Sequence, residues 1–370
     1  MSSTIVILLV ASVAAASCAI VGTFLVLRRM ALLGDAISHA VLPGIVIAFL
    51  MTGDRSPLPM VIGAGALGVV TVFLVEMFLR TRRLKEDASI GVVFPALFSI
   101  GVILISRYAG QVDLDLDCVL YGEIAYSPLD LVIYRDVVLG PKALWINGAI
   151  LLVNLLFVGL LFKELKLTTF DAQLAATLGF SPILVHYLLM SSVSLTVVGA
   201  FESVGAILVL ALLVVPPAAA YLWTDRLNIL LTLAVSFGVL SAIGGYFLAR
   251  WWDASIAGSI ALATGIVFLF SLTFSGQHGV LGRWRVHRKL GWAMAEQLML
   301  LHMDSGRPMP LDVLVQRFSW PRGRFDRVVS RLLAKDWISR DADGLRLTTR
   351  GAEALETSGQ SELRHPLVPV

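Results

Sequence analysis

Nine apolar stretches follow one another through the first three quarters of the chain, at residues 4–27, 32–51, 58–79, 90–107, 143–163, 182–200, 203–223, 227–250 and 254–274. A helix rises 1.5 Å per residue, so about 20 such residues cross the hydrocarbon core of a bilayer. No water is available there, and every backbone polar group must find its partner inside the chain, which a helix provides. The chain is therefore read as an all-α polytopic membrane protein of about nine transmembrane helices. Composition agrees: 57% of residues are hydrophobic and 15% charged, with mean hydropathy +0.84, where a soluble domain carries roughly 25% charged residues. The first apolar run has no Lys or Arg before it and is long enough to span, so it is read as a membrane helix, not as a signal peptide.

Hydrophobicity falls away near Ser275. Residues 1–275 hold 14 Lys/Arg and 16 Asp/Glu, whereas residues 276–370 hold 15 and 10. This divides the chain into a transmembrane part (1–275), a basic linker (276–289), a small soluble domain (290–356) and a C-terminal tail (357–370). One alternating set of loops carries Arg28, Arg29, Arg80, Arg82, Arg83, Lys85, Lys163, Lys166 and Arg226, and the other carries Arg55, Arg107, Arg135, Lys142 and Arg250. The richer set is predicted to be cytoplasmic, which places the N-terminus outside and the basic tail inside. Residues 108–142 are read as an external loop, in which Asp113, Asp115, Asp117 and Glu123 form a solvated edge or attract cations. Cys18 and Cys118 belong to no Cys-x-x-Cys pair and imply neither a disulfide framework nor a zinc knuckle.

The chemistry concentrates in Gly34-Asp35-Ala36-Ile37-Ser38-His39-Ala40-Val41-Leu42-Pro43-Gly44. Asp35 and His39 are four residues apart and share one helical face. A carboxylate and an imidazole inside an apolar span are costly and mark a functional site by default. That donor pair suits manganese, iron(II) or zinc better than magnesium or calcium. Glu202, at the start of the seventh stretch, either joins them on a metal path or snorkels to the interface. His186 is read as a packed interface residue. The chain contains no Gly-x-x-x-x-Gly-Lys-Ser/Thr phosphate cradle, so any ATP hydrolysis belongs to a separate chain.

The Gly-Asp-Ala-x-Ser-His-Ala-x-Leu-Pro-Gly run resembles the signature of the manganese/zinc/iron permeases of ABC metal uptake systems. Phe170 to Gly179 is similar to that family's cytoplasmic Phe-Asp-x-x-Leu-Ala-x-x-x-Gly segment, His186 to Met190 follows at the expected place, and Val204 to Ala218 is similar to its Pro-Ala-ending helix. The resemblance covers about residues 1–275. It implies a metal path at Asp35, His39 and Glu202, and an ATPase-coupling element in which Phe170, Asp171, Leu174, Ala175 and Gly179 take part. It further implies a cytoplasmic ATP-binding subunit, an extracytoplasmic metal-binding protein and a second permease copy, identical or paralogous, in the bacterial cytoplasmic membrane. The chain would be a transport subunit, not an enzyme. It would bind no permanent cofactor, and Mn2+, Zn2+ or Fe2+ would be its cargo.

The tail carries its own pattern. Trp292–Leu301, Leu311–Phe318 and Arg322–Lys335 are predicted helices, followed by strands at 337–340 and 345–348 and a final helix from Thr348. Phe325, Val328, Val329, Leu332 and Leu333 form the buried face of the third helix, while Arg324, Arg327, Arg331 and Lys335 gather on another. The pattern resembles the winged-helix, DNA-binding part of diphtheria-toxin-repressor-like regulators and departs from it after Glu356. DNA or a protein partner is the implied contact of those four cations. Two competing functional readings remain: a permease for a metal chelate or cobalamin-like compound, and a membrane-anchored transcription regulator.

Overall fold

The computed structural model describes residues 2–53, 57–81, 83–108, 124–134, 137–276, 279–303, 309–318, 320–341 and 344–362. It comprises two compact units, Met1–Val280 and Leu281–Val370.

The first unit contains α1 (Ser3–Leu27), α2 (Ala31–Thr52), α3 (Pro57–Arg80), α4 (Glu86–Tyr108), α5 (Lys142–Leu160), α6 (Phe162–Phe170), α7 (Ala172–Thr177), α8 (Pro182–Val204), α9 (Ala206–Tyr221), α10 (Leu227–Trp252) and α11 (Ile256–Phe274). Eight of these are long and apolar enough to cross a membrane. Besides the short α6 and α7, α9 falls short, which leaves eight such helices among the described residues where about nine spans were expected. α9 has 16 residues, rising about 24 Å against a core of about 30 Å. The apolar run is continuous through 203–223, but Gly205 adopts φ 81 and ψ 160 and divides α8 from α9, a conformation open to a residue without Cβ.

α1 is the centre of this unit. Val10, Ala11, Ala14, Ala15, Cys18, Val21 and Phe24 are fully buried, and the helix packs on α5, α8, α9 and α10. Small side chains make this possible, because helices in lipid associate by close backbone approach. Gly22 abuts the Leu213 backbone of α9 so closely that a Cβ has no room. α2, α3 and α4 pack together on one flank, and α9, α10 and α11 on the other.

Polar groups join the helices from inside. The Asn154 amide of α5 donates to Ser17 Oγ (2.9 Å) of α1 and Thr196 Oγ1 (2.7 Å) of α8, and its carbonyl accepts from Ser192 Oγ (2.7 Å). All four residues are buried. Each bond is worth about 0.6 kcal/mol in a membrane interior, so the set fixes register more than it adds stability.

Between α4 and α5, Ile124–Tyr126 forms a turn of 3-10 helix. The strands β1 (Leu131–Tyr134) and β2 (Val137–Pro141) then form an antiparallel pair, where a plain loop was expected. Asp113, Asp115, Asp117, Cys118 and Glu123 lie outside the described residues.

The second unit contains α12 (Val280–Leu301), α13 (Leu311–Phe318), α14 (Arg322–Ala334), the antiparallel strands β3 (Ile338–Asp341) and β4 (Gly344–Leu347), and α15 (Thr349–Glu362). α12 starts twelve residues before the expected Trp292, so the stretch read as a linker is helical from Val280 onward. Phe325, Val328 and Leu332 are buried in one cluster with Ala295, Met299, Leu314, Ile338 and Leu345, while Val329 and Leu333 pack at its edge. Residues 304–308, between α12 and α13, lie outside the described residues.

Candidate metal site and ATPase-facing segment

Asp35 and His39 lie in the second and third turns of α2. His39 Nε2 stands 3.5 Å from Asp35 Oδ1, with the two side chains 36% and 43% exposed respectively. The neighbouring positions explain this placement. Leu33, Ala36, Ile37 and Ala40 are buried on the opposite side of the helix. The Ser38 hydroxyl donates to the Gly34 carbonyl at 2.9 Å, and a side chain on Gly34 would run into Leu213 of α9. The pair therefore occupies the face of α2 turned away from the core. The imidazole is held between aromatic rings of α4, with centroids 5.0 Å from Phe94 and 6.3 Å from Phe98.

The depth of the pair follows from Ile37, which lies between its two members. Ile37 approaches Gly68, and Gly68 lies against Ser194. Gly68 and Ser194 fall near the midpoints of α3 and α8, so Asp35 and His39 stand near mid-depth of the bundle. Glu202 lies in the last turn of α8, eight residues and about 12 Å along the axis beyond Ser194. Its side chain is outside the described residues. Among the described residues, no three His, Cys, Asp or Glu side chains converge as a metal cluster. Asp35 and His39 stand as a pair of potential donors, not as a closed cluster.

At one end of the bundle, α6 and α7 form a bent projection between α5 and α8. Asp171 separates them, and its carboxylate caps α7 by accepting from the Leu174 amide at 2.9 Å. Gly179 at φ 88 closes α7, with the Phe180 amide donating to the Ala175 carbonyl at 3.0 Å. Ala175 is fully buried, whereas Phe170, Leu174 and Leu178 are 60%, 46% and 60% exposed. The segment therefore presents an apolar face on a short, capped helix.

The same end holds a residue that the sequence reading treated only as a loop cation. Arg28 follows α1, and its guanidinium donates to Thr168 Oγ1 (2.9 Å) and Thr169 Oγ1 (3.1 Å) and lies 3.5 Å from His186 Nδ1. Burial pushes its pKa below the ordinary value. His186 is half-buried against Arg28 and Tyr187, as an interface residue would be.

In the second unit the predicted cation row is largely engaged within the unit. Glu296, 2% exposed, accepts from Arg331 Nε at 2.5 Å and Lys335 Nζ at 2.6 Å. The Arg327 guanidinium lies over Trp292, and that of Arg324 over Trp320. Arg331 and Lys335 are therefore paired within the unit while remaining 49% and 40% exposed. Glu296 could not be anticipated, because it lies 35 residues from Arg331 on another helix.

A bundle of apolar helices with an acid–imidazole pair at mid-depth and a capped apolar projection at one end defines a multi-pass membrane protein of the transport-permease class. The chain belongs to the ABC 3 transport family, whose profile matches residues 2–275. It is 49% identical over 265 residues to the manganese transport system membrane protein MntD of Bacillus subtilis, covering 72% of this chain and 90% of that protein. It is 43% identical over 355 residues to the zinc transport system membrane protein TroD of Treponema pallidum, covering 94% of this chain and 96% of that one. The latter likeness extends well into the second unit. Among solved structures, PsaBC from Streptococcus pneumoniae in complex with Fab superposes with a TM-score of 0.63 at 30% identity, over 75% of this chain and 94% of that one. A putative metal-chelate type ABC transporter in an inward-facing conformation shares the fold at TM-score 0.51 and 17% identity, over 72% of this chain and 84% of that one.

Proposed function

We propose that this chain is the membrane-spanning permease subunit of an ATP-driven importer of a divalent transition metal ion, manganese or zinc foremost, in the bacterial cytoplasmic membrane. The observation that carries the reading is the Asp35–His39 pair at mid-depth on an open face of α2. In a lone subunit that face would meet lipid, where a carboxylate is costly. A second permease copy placed against α2 and α4 removes that cost and turns two half sites into one. Two carboxylates and two imidazoles then match the donor number and type that manganese, zinc and iron(II) accept. The relatives named for manganese and zinc transport support this cargo. The Phe94 and Phe98 rings restrict His39 and keep its face toward the path.

ATP is hydrolysed on a separate cytoplasmic subunit, for which Phe170, Leu174 and Leu178 are the apolar contact. Asp171, Ala175 and Gly179 shape that contact by cap, packing and turn. An extracytoplasmic binding protein delivers the ion from the opposite end. In cells that depend on this chain for metal, Asp35→Ala and His39→Ala each abolish accumulation of the transported ion. Normal manganese, zinc and iron accumulation in both variants overturns the reading.

For the second unit we infer a winged-helix module on the cytoplasmic side that contacts protein rather than DNA. The pairing of Arg331 and Lys335 with Glu296 supports this, because it withdraws half of the cation row from phosphate. Removal of residues 281–370 alters metal-dependent control of uptake. Sequence-specific retention of DNA by the full chain would reverse this inference.

A further inference from the structure

We propose that Arg28 is the positioning residue that couples movement of the ATPase-facing segment to the metal-bearing helix α2; this rests on the reading of that segment as the ATPase contact. The guanidinium holds both ends of the segment at once. Thr168 and Thr169, its hydrogen-bond acceptors, close α6 immediately before Asp171. His186, 3.5 Å from Nη1, lies in the second turn of α8, shortly after Gly179. The Thr168 hydroxyl donates onward to the Glu164 carbonyl at 2.8 Å, which ties the contact into the α6 backbone. Arg28 thus senses a displacement of α6 or of the start of α8 directly.

The path from Arg28 to the metal site is short and stiff. Three residues separate α1 from α2. Arg29 adopts φ 62, its amide donates to the Val26 carbonyl at 3.0 Å, and the Met30 amide donates to the Leu25 carbonyl at 2.9 Å. This bond pair closes a helix in a single tight turn. Arginine stands where glycine is the easy residue, so the turn is held in place despite a Cβ. The Leu33 amide then donates to the Met30 carbonyl at 3.1 Å, and Asp35 follows two residues later. A shift of Thr168 or Thr169 therefore either carries the α1–α2 corner with it or breaks bonds to a half-buried cation. The planar guanidinium reaches three partners in fixed directions, which an ammonium group cannot reproduce.

The test uses the full-length permease reconstituted in liposomes with its ATP-binding subunit and metal-binding protein. Manganese uptake and ATP hydrolysis are measured on the same preparation. Arg28→Lys is expected to assemble and to hydrolyse ATP within about twofold of the unaltered complex, while metal moved per ATP falls about tenfold. The paired change Thr168→Val with Thr169→Val, which keeps side-chain shape, is expected to lower the same ratio. A structural role would lower yield, hydrolysis and uptake together and leave the ratio unchanged, and that result overturns the proposal. If Arg28→Lys fails to assemble, an unchanged ratio in the threonine pair overturns it instead. Leu174→Asp separates the two ideas. If that complex assembles and hydrolyses normally, the ATPase-contact reading fails and takes this proposal with it. If it loses the ATP-binding subunit while Arg28→Lys keeps its ratio, only the coupling role of Arg28 falls.

Discussion

Gly44 of α2 and Gly63 of α3 meet backbone to backbone: a Cβ on Gly44 would lie 2.6 Å from the Gly63 carbonyl oxygen. This crossing lies little more than one turn beyond His39 and sets the distance between the metal-bearing helix and its neighbour. Replacing Gly44 by Leu forces the helices apart at a cost of about 1–3 kcal/mol. The expected outcome is a lower thermal midpoint for the detergent-purified chain and weakened uptake. Gly53→Leu, at a position with nothing within 4 Å but with φ 66, strains a turn without moving the crossing and should leave uptake the less affected.

Asn154 makes a different kind of tie. Its amide joins three helices through Ser17, Thr196 and Ser192. Asn154→Ala removes the hub and leaves three buried hydroxyls with fewer partners. The loss is about 2 kcal/mol, from three bonds of about 0.6 kcal/mol each. Thermal unfolding of the full chain in detergent measures it, and a midpoint equal to that of the unaltered chain would contradict the network's role.

In the second unit, Glu296 is the buried acid between Arg331 and Lys335. The two cations are 49% and 40% exposed, so water can take them over when the acid is removed. Glu296→Ala should therefore cost about 1–2 kcal/mol, less than the 3–5 kcal/mol of a fully buried broken pair. Hydrogen exchange in α12 and α14 of the full chain should rise, with protection of α1 unchanged.

The sequence made some of this visible and not the rest, for physical reasons. Spans were legible because lipid demands long apolar runs, and the Asp35–His39 pair because a four-residue spacing has one geometric meaning on a helix. The segment at 170–179 was legible through its resemblance to the family's Phe-Asp-x-x-Leu-Ala-x-x-x-Gly pattern, and the capping role of Asp171 and the turn at Gly179 emerged only in the fold. The break at Gly205 was hidden in a continuous apolar run, where a lone glycine carries little signal. The partners of Arg28 lie about 140 residues away, as does the Ser17 partner of Asn154, and no local pattern encodes such a pairing. The spacing of the α14 cations carries no sign of the acid that meets Arg331 and Lys335, because Glu296 sits on another helix.

Asp171 gives a sharper local test. As N-cap of α7 it accepts from Leu174, and its loss costs about 1 kcal/mol, which a six-residue helix cannot absorb elsewhere. Asp171→Ala should weaken retention of the ATP-binding subunit by the purified permease. Asp171→Asn, which keeps a capping oxygen, should restore most of it. Equal retention by both variants would remove the cap from the account.

The most direct test of the metal path is radiolabelled manganese and zinc uptake by liposomes carrying the complete transporter, with Asp35→Asn compared against the unaltered chain. The asparagine keeps the shape and loses the charge, so the account predicts an assembled complex whose uptake falls at least about tenfold. Uptake of both ions at the unaltered rate would contradict it.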